Sequence, residues 1–330
     1  MTSNKTLLYI GETRGTHDER FINAFKIIFD VTELFSSDHP PSSKSISREF
    51  DIVVVSPISI QLLQFSKDYK GIKIGICWAI EINEVSYSEP EILQMQDALH
   101  EFMAIVIDAD YIVKQIQNRF LYNGKIIKLY FGCDLALFYH SRDFNSAKLQ
   151  NHICITRKWL PLYNNELIIQ ALSRIESTES AKALFVSNNS ALNDSINSLI
   201  ATSKIEFTFL GVQSAVELAK VYLRSDIYLS ASRSDGISVS LLEAMASGLI
   251  CIVTDFPSNL EIINHGENGF VFKNGDLSSL MSTLKQVFSL SVEERLKITQ
   301  RAQKFTVESA NWNENKLQMI NSILQIANAG

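Results

Sequence analysis

The chain has little of what marks several protein classes. Its four cysteines, Cys77, Cys133, Cys154 and Cys251, are widely spaced, lie in or beside apolar runs and lack metal-ligand spacing. They read as buried thiols in a reducing compartment rather than as a disulfide framework or a metal centre. No apolar stretch approaches the roughly 20 residues that span a bilayer, and no signal-peptide core precedes the strand-like run at 7–10. The expectation is a soluble, cytoplasmic protein, with peripheral contact at the inner face of a membrane left open. The 30 basic residues are outnumbered by 36 acidic ones and form no basic run, so no electrostatic footprint for nucleic acid exists. No Gly-x-Gly-x-x-Gly follows a strand-like segment, which disfavours a dehydrogenase. Internal repeats and low-complexity segments are absent too.

What remains is a regular alternation. Short β-branched apolar runs at 7–10, 31–35, 51–56, 72–77, 103–107 and 126–130 are separated by amphipathic helical stretches. A second series follows at 153–156, 183–186, 206–210, 226–230, 249–254 and 269–272. Near-continuous hydrophobic strands between helices predict buried parallel sheets. Two series in 330 residues, parted by a polar stretch at 139–150, predict an α/β chain of two Rossmann-like, doubly wound domains. The expected bounds are 1–145, 146–310 and a last helix over 311–330. In that helix Trp312, Leu317, Ile320, Ile323, Leu324 and Ala327 form a stripe with no following strand to cover, so it must dock on structure already built. The Ser/Pro-rich segment 36–48 is the expected loop.

Ligands collect at the carboxyl ends of strands in open parallel sheets, and the informative residues lie there. Residues 232–248 read Ser-Arg-Ser-Asp-Gly-Ile-Ser-Val-Ser-Leu-Leu-Glu-Ala-Met-Ala-Ser-Gly, with Asp235 and Glu243 separated by seven residues. The structural reading is a capping box, Ser240 capping a helix and Glu243 reaching back to its amide, with Leu242, Met245 and Ala246 buried and Gly248 as the stop. The functional reading is a loop carboxylate for sugar hydroxyls beside a helix start that holds phosphate. After the next strand, the amides of Ser258 and Asn259 could open a helix start towards an anion, and Gly266 to Phe272 forms a turn feeding the final strand. Strand 153–156 ends in Arg157-Lys158-Trp159, where an arginine offers a planar fork to a diphosphate or is simply a surface cation.

Together these segments resemble a bacterial retaining glycosyltransferase of glycosyltransferase family 4, strongly over 151–328 and by order of elements over 6–138. Asp235 and Glu243 match the family's paired acidic motif, with aspartate first. Leu242-Glu243-Ala244-Met245-Ala246-Ser247-Gly248 is close to its most recognisable string, and Phe131-Gly132-Cys133-Asp134 and Gly266 to Phe270 match family turns. The resemblance implies the GT-B fold, with the last helix crossing back to brace the first domain. It implies that Glu243 accepts from donor ribose hydroxyls and that Asp235, with the amides of Gly236 and Ile237, holds the transferred sugar. Ser238, Val239 and Ser240 would cradle the distal phosphate, Arg157 would neutralise the leaving diphosphate, and Gly211 sits where the family packs its base.

The chain departs from the family at Leu162, where a lysine is usual; Lys158 is the available substitute. The first glycine-rich loop is reduced to Gly11 and Gly15. On the acceptor side His17, Trp78 and Glu81 are candidates, against a structural place in a capped helix for His17 and packing or solvent exposure for the other two. The expected activity is retaining transfer from a nucleotide-diphosphate sugar to a carbohydrate, lipid-linked or protein-linked acceptor, in cell-surface polysaccharide or oligosaccharide synthesis. The alternative is a non-catalytic sugar-nucleotide-binding or scaffolding subunit; an epimerase or phosphorylase shares the fold. Asp108-Ala109-Asp110 matches a metal signature of the other large glycosyltransferase fold, but Asp110 more simply caps a helix at 111–120. No cofactor and no metal are therefore expected.

Overall fold

The computed structural model describes residues 5–38, 50–67, 69–83, 87–141, 151–175, 181–187 and 192–329. Most of the expected loop at 36–48, and the polar stretch from 142 to 150, lie outside the described residues. The chain divides into two compact units, Met1–Phe131 with Asn313–Gly330, and Gly132–Trp312. The division thus falls at Phe131/Gly132, ahead of the expected 145, because the short helix Leu135–Phe138 belongs to the second unit.

The first unit holds strands β1 (Thr6–Gly11), β2 (Asp30–Phe35), β3 (Ile52–Ser56), β4 (Ile72–Ile76), β5 (Ala104–Ile107) and β6 (Lys125–Lys128). They form one parallel sheet in the order β2-β1-β3-β4-β5-β6. Ile52 to Val55 are wholly buried, as a strand covered by helices on both faces requires. The second unit holds β7 (Ile153–Ile155), β8 (Lys182–Phe185), β9 (Glu206–Phe209), β10 (Ile227–Leu229), β11 (Ile250–Thr254) and β12 (Phe270–Phe272). This sheet is also parallel, ordered β12-β11-β10-β7-β8-β9. Every expected strand is present with its ends within two residues of those read from the runs.

Each order contains a reversal. β1 lies between β2 and β3, and β7 lies between β8 and β10, so the crossovers run to opposite sides of those strands. Crevices open at the carboxyl ends of such neighbours, because the loops leave in opposite directions. The pairs β1/β3 and β7/β10 are the switch points of the two units.

The last helix, Trp312–Ala329, returns to the first unit, where Lys5 donates to the Ala327 carbonyl (3.0 Å) and Asn315 to that of Tyr130 (2.8 Å). Its buried stripe is Trp312, Met319, Ile320, Ile323, Ile326 and Ala327, whereas Leu317, expected inside, is 45% exposed. Met319 and Ile326 lie at helical spacing with Ile323, so the packed face is rotated from the one read in the sequence. In the second unit, Gly132 has φ +65°, and a Cβ there would stand 2.4 Å from the Ala310 carbonyl oxygen. This close approach lets the Cys133 amide donate to Ala310 (2.8 Å) and the Trp312 amide to Cys133 (3.0 Å).

The four cysteines are buried thiols, none of them in a disulfide. Among the described residues no helix is long and apolar enough to cross a membrane, and no group of three or more His, Cys, Asp or Glu could hold a metal. Asp110 does not cap its helix. The helix Asp110–Phe120 starts on it, with Ala109 at the cap position, and its carboxylate pairs with Lys128 at 2.6 Å.

Candidate active site

β7 and β10 are hydrogen-bonded neighbours, with Ile153 opposite Ile227 and Cys154 opposite Tyr228, so the loops after them emerge side by side. The first loop carries Arg157 and the second carries Asp235 and Ser238. Arg157 Nη2 donates to Asp235 Oδ2 at 2.5 Å and Nη1 donates to Ser238 Oγ at 2.8 Å. The pair is well enclosed, with side-chain exposures of 14% for Arg157 and 13% for Asp235. The Tyr163 ring lies beneath the guanidinium, 4.0 Å from Cζ to its centroid, a cation–π contact. Burial disfavours the charge on Arg157, but Asp235, with Tyr163 and Tyr228, outweighs it, and the guanidinium pKa moves upward. Arg157 is therefore a fixed cation inside the site. The other Asp235 oxygen, Oδ1, accepts from the Gly236 amide at 3.0 Å.

The capping box does not form. The helix runs Val239–Ala246 with Ser238 at the cap, so Ser240 and Glu243 are both inside it. Ser238 makes no side-chain cap bond; its hydroxyl receives Arg157 and contacts Ser240 Oγ at 2.9 Å. The first amides of a helix have no intrahelical acceptor, so Val239 and Ser240 carry donors at the positive end of the helix dipole, beside Arg157. Leu242, Met245 and Ala246 are buried, and Gly248, at φ +71°, ends the helix in the left-handed conformation. Ile237 is buried in the preceding loop.

Glu243, half-buried, is steadied by Tyr222, whose hydroxyl donates to Glu243 Oε2 (3.3 Å) and to the Ser240 carbonyl (3.1 Å). Burial, then the Glu243 charge, pushes the Tyr222 hydroxyl well up, so it remains a proton donor. The Tyr228 hydroxyl bonds Ser240 Oγ at 3.0 Å. Asn165 Nδ2 reaches the carbonyls of both Arg157 and Lys158 at 3.1 Å and holds that turn. Sequence reasoning missed Tyr163, Asn165, Tyr222 and Tyr228. Polar-tipped aromatics in or beside buried elements were the available signal, since a buried hydroxyl needs a partner.

The Asp235 loop is braced from several sides. The Arg233 amide donates to the Leu162 carbonyl (2.8 Å), Thr254 Oγ1 to Ser232 (2.7 Å) and Ser258 Oγ to the Asp235 carbonyl (3.0 Å). Ser258 and Asn259 sit in a four-residue helix, Pro257–Leu260, and their side chains hold loops; Asn259 Nδ2 donates to the Thr254 carbonyl at 3.0 Å. Leu162 contributes its backbone. Lys158 is exposed on the turn beyond Arg157. Gly211, at φ +71°, follows β9, two strands away from β7 in the sheet.

In the first unit the structure brings His17, Trp78 and Glu81 together at the carboxyl ends of β1, β3 and β4. The His17 and Trp78 rings are 4.7 Å apart, and Trp78 Nε1 donates to Ser56 Oγ at 2.9 Å. Glu81 Oε1 accepts from the Trp78 amide at 2.7 Å. Glu81 is only 5% exposed, and burial, opposed by its hydrogen bonds and assisted by Glu12, raises its pKa to about 7. His17 is the second residue of the helix Thr16–Phe25, with Gly15 at the cap position.

Two parallel six-stranded α/β sheets and a returning last helix define a GT-B architecture. The profile of the family described as Glycosyl transferases group 1 matches residues 140–305, half of the chain, and the chain belongs to that family. It is 30% identical over 186 residues to the N-acetyl-alpha-D-glucosaminyl L-malate synthase of Bacillus anthracis, covering 56% of this chain and 46% of that protein. The chain spans about half or less of the length of the curated relatives it matches first. Its fold is similar to sucrose-phosphate synthase from Thermosynechococcus elongatus, with TM-score 0.81, 12% identity and coverage of 99% of this chain and 100% of that one. It is also similar to Anabaena HepE in complex with UDP-glucose, with TM-score 0.78, 14% identity and coverage of 98% and 100%.

Proposed function

We propose that this chain is a family 4 retaining glycosyltransferase that moves a sugar from a nucleotide-diphosphate donor to an acceptor hydroxyl. The observation that carries this reading is the convergence of Arg157, Asp235 and Ser238 with the Val239–Ala246 helix start at the β7/β10 switch point. A cation, free helical amides and serine hydroxyls suit a diphosphate. A carboxylate suits sugar hydroxyls, and Glu243 one turn further suits a ribose diol. In this reading Arg157 and the amides stabilise charge as the diphosphate leaves, and that diphosphate draws the acceptor proton on the same face, giving retention. Gly236 and Ile237 line the sugar, Gly211 the base, and Lys158 supplies a further cation at the mouth. No metal is needed, because Arg157 and the helix start supply the positive charge. His17, Trp78 and Glu81 form the acceptor side, with a cell-surface poly- or oligosaccharide as the acceptor class. HepE, crystallised with UDP-glucose, makes a UDP-sugar the first donor to try.

A thermal-shift panel of nucleoside diphosphates and their sugars tests the reading, and a selective shift identifies the base. Transfer should survive EDTA, and Asp235→Asn and Glu243→Gln should each lower turnover about 100-fold, the scale of losing one fixed electrostatic group. Near-wild-type rates in both variants would sink the proposal. Nucleotide binding without donor turnover would mark a binding module instead.

A further inference from the structure

We propose that Asp235 acts as a resident counter-anion to Arg157, displaced by the incoming diphosphate, and thereby sets the preference for loaded donor over spent nucleotide. This rests on the donor-site reading above and goes beyond it. Two of the three guanidinium nitrogens expected to hold the diphosphate are already engaged, Nη2 by the Asp235 carboxylate at 2.5 Å and Nη1 by Ser238 Oγ at 2.8 Å, while Nε is buried without a hydrogen-bond partner among the described residues. An entering donor therefore exchanges partners. Arg157 Nη2 turns from Asp235 to a phosphate oxygen, and the released carboxylate accepts from a sugar hydroxyl. The number of hydrogen bonds is kept, and neither charge is stranded in an enclosed site.

Spent nucleotide cannot complete that exchange. It offers the phosphate without the hydroxyl, leaving Asp235 facing an anion with one more ionisable oxygen. Charge repulsion at this range changes affinities by about tenfold or more. Asp235 thus favours product release as well as donor capture. Removing its charge does not set Arg157 adrift, because Ser238 Oγ and the Tyr163 ring, 4.0 Å away, still fix the guanidinium.

Calorimetric titration of UDP, GDP, ADP and inorganic pyrophosphate, and of UDP-glucose, into wild type, Asp235→Asn and Ser238→Ala tests this. Asp235→Asn should bind the selected diphosphate about tenfold tighter and lose the preference for its sugar conjugate, while turnover falls. Ser238→Ala, which keeps the carboxylate, should show no tightening. Equal or weaker diphosphate binding by Asp235→Asn overturns the proposal, as does equal tightening in Ser238→Ala. If Asp235→Asn fails to fold, Asp235→Ser removes the same charge and carries the same expectation. Wild-type binding without a gain in the variant defeats this proposal alone; no binding of any probe by wild type or variant defeats the donor-site reading as well.

Discussion

Replacing Glu81 by glutamine should stabilise the protein above neutral pH and leave it nearly unchanged below pH 4.5. Glu81 is 5% exposed and its carboxyl is raised by burial from 4.5 to about 7. Below 4.5 both folded and unfolded chains carry the proton. Between 4.5 and 7 the unfolded chain loses it while the folded chain keeps it, so the folded state binds more protons and stability falls as pH rises. Above 7 the ionised carboxylate is buried and the full cost is present. At about 1.4 kcal/mol per unit, the displacement is worth about 3 kcal/mol. Glutamine keeps an oxygen to accept from the Trp78 amide but carries no charge, so the cost disappears. Urea denaturation of both proteins from pH 4.5 to 8.5, followed by tryptophan fluorescence, should give curves that diverge as pH rises. Parallel curves across that range would mean that the carboxyl is solvated and the reasoning wrong.

Other perturbations probe the second unit. Arg157→Met leaves Asp235 enclosed without its countercharge and should cost about 3 kcal/mol in urea denaturation; restoring neutrality with Asp235→Asn should recover part of it, giving a coupling above about 1 kcal/mol. Tyr222→Phe removes the donor to Glu243 Oε2 and to the Ser240 carbonyl. It should lower stability by about 1 kcal/mol and raise the donor KM several-fold with kcat nearly kept. Gly132→Ala meets both φ +65° and the Ala310 carbonyl oxygen at 2.4 Å, and should lower Tm by an amount equivalent to about 2 kcal/mol or more.

Much of the fold was legible because its strands are buried on both faces. Runs such as Ile52 to Val55 have no polar position to confuse with a helix, and the helices between them carry the longer period. Local punctuation was legible where it depends on one residue, as at Gly248. The capping-box alternative at Ser240 fails because the helix starts after Ser238, whose hydroxyl bonds Arg157 rather than a nearby amide. Asp110 was misread, its carboxylate being drawn to Lys128. In each case a partner distant along the chain outweighed a local motif worth about 1 kcal/mol. Leu317 shows the same limit on a helix, since periodicity defines a stripe to within one neighbouring row, and the packed surface selects the row.

The order of strands and helices, the acidic pair with seven residues between its members and the buried thiols follow from local composition, which the chain carries wherever it folds. That β7 lies beside β10 is decided by crossovers running to opposite sides of one sheet. This adjacency brings Arg157 to Asp235 across 78 positions, and the packing of the helices that flank β10 turns Tyr222 towards Glu243. Hydrogen bonds and ion pairs act over a few ångströms of space, and only the folded sheet makes those residues neighbours.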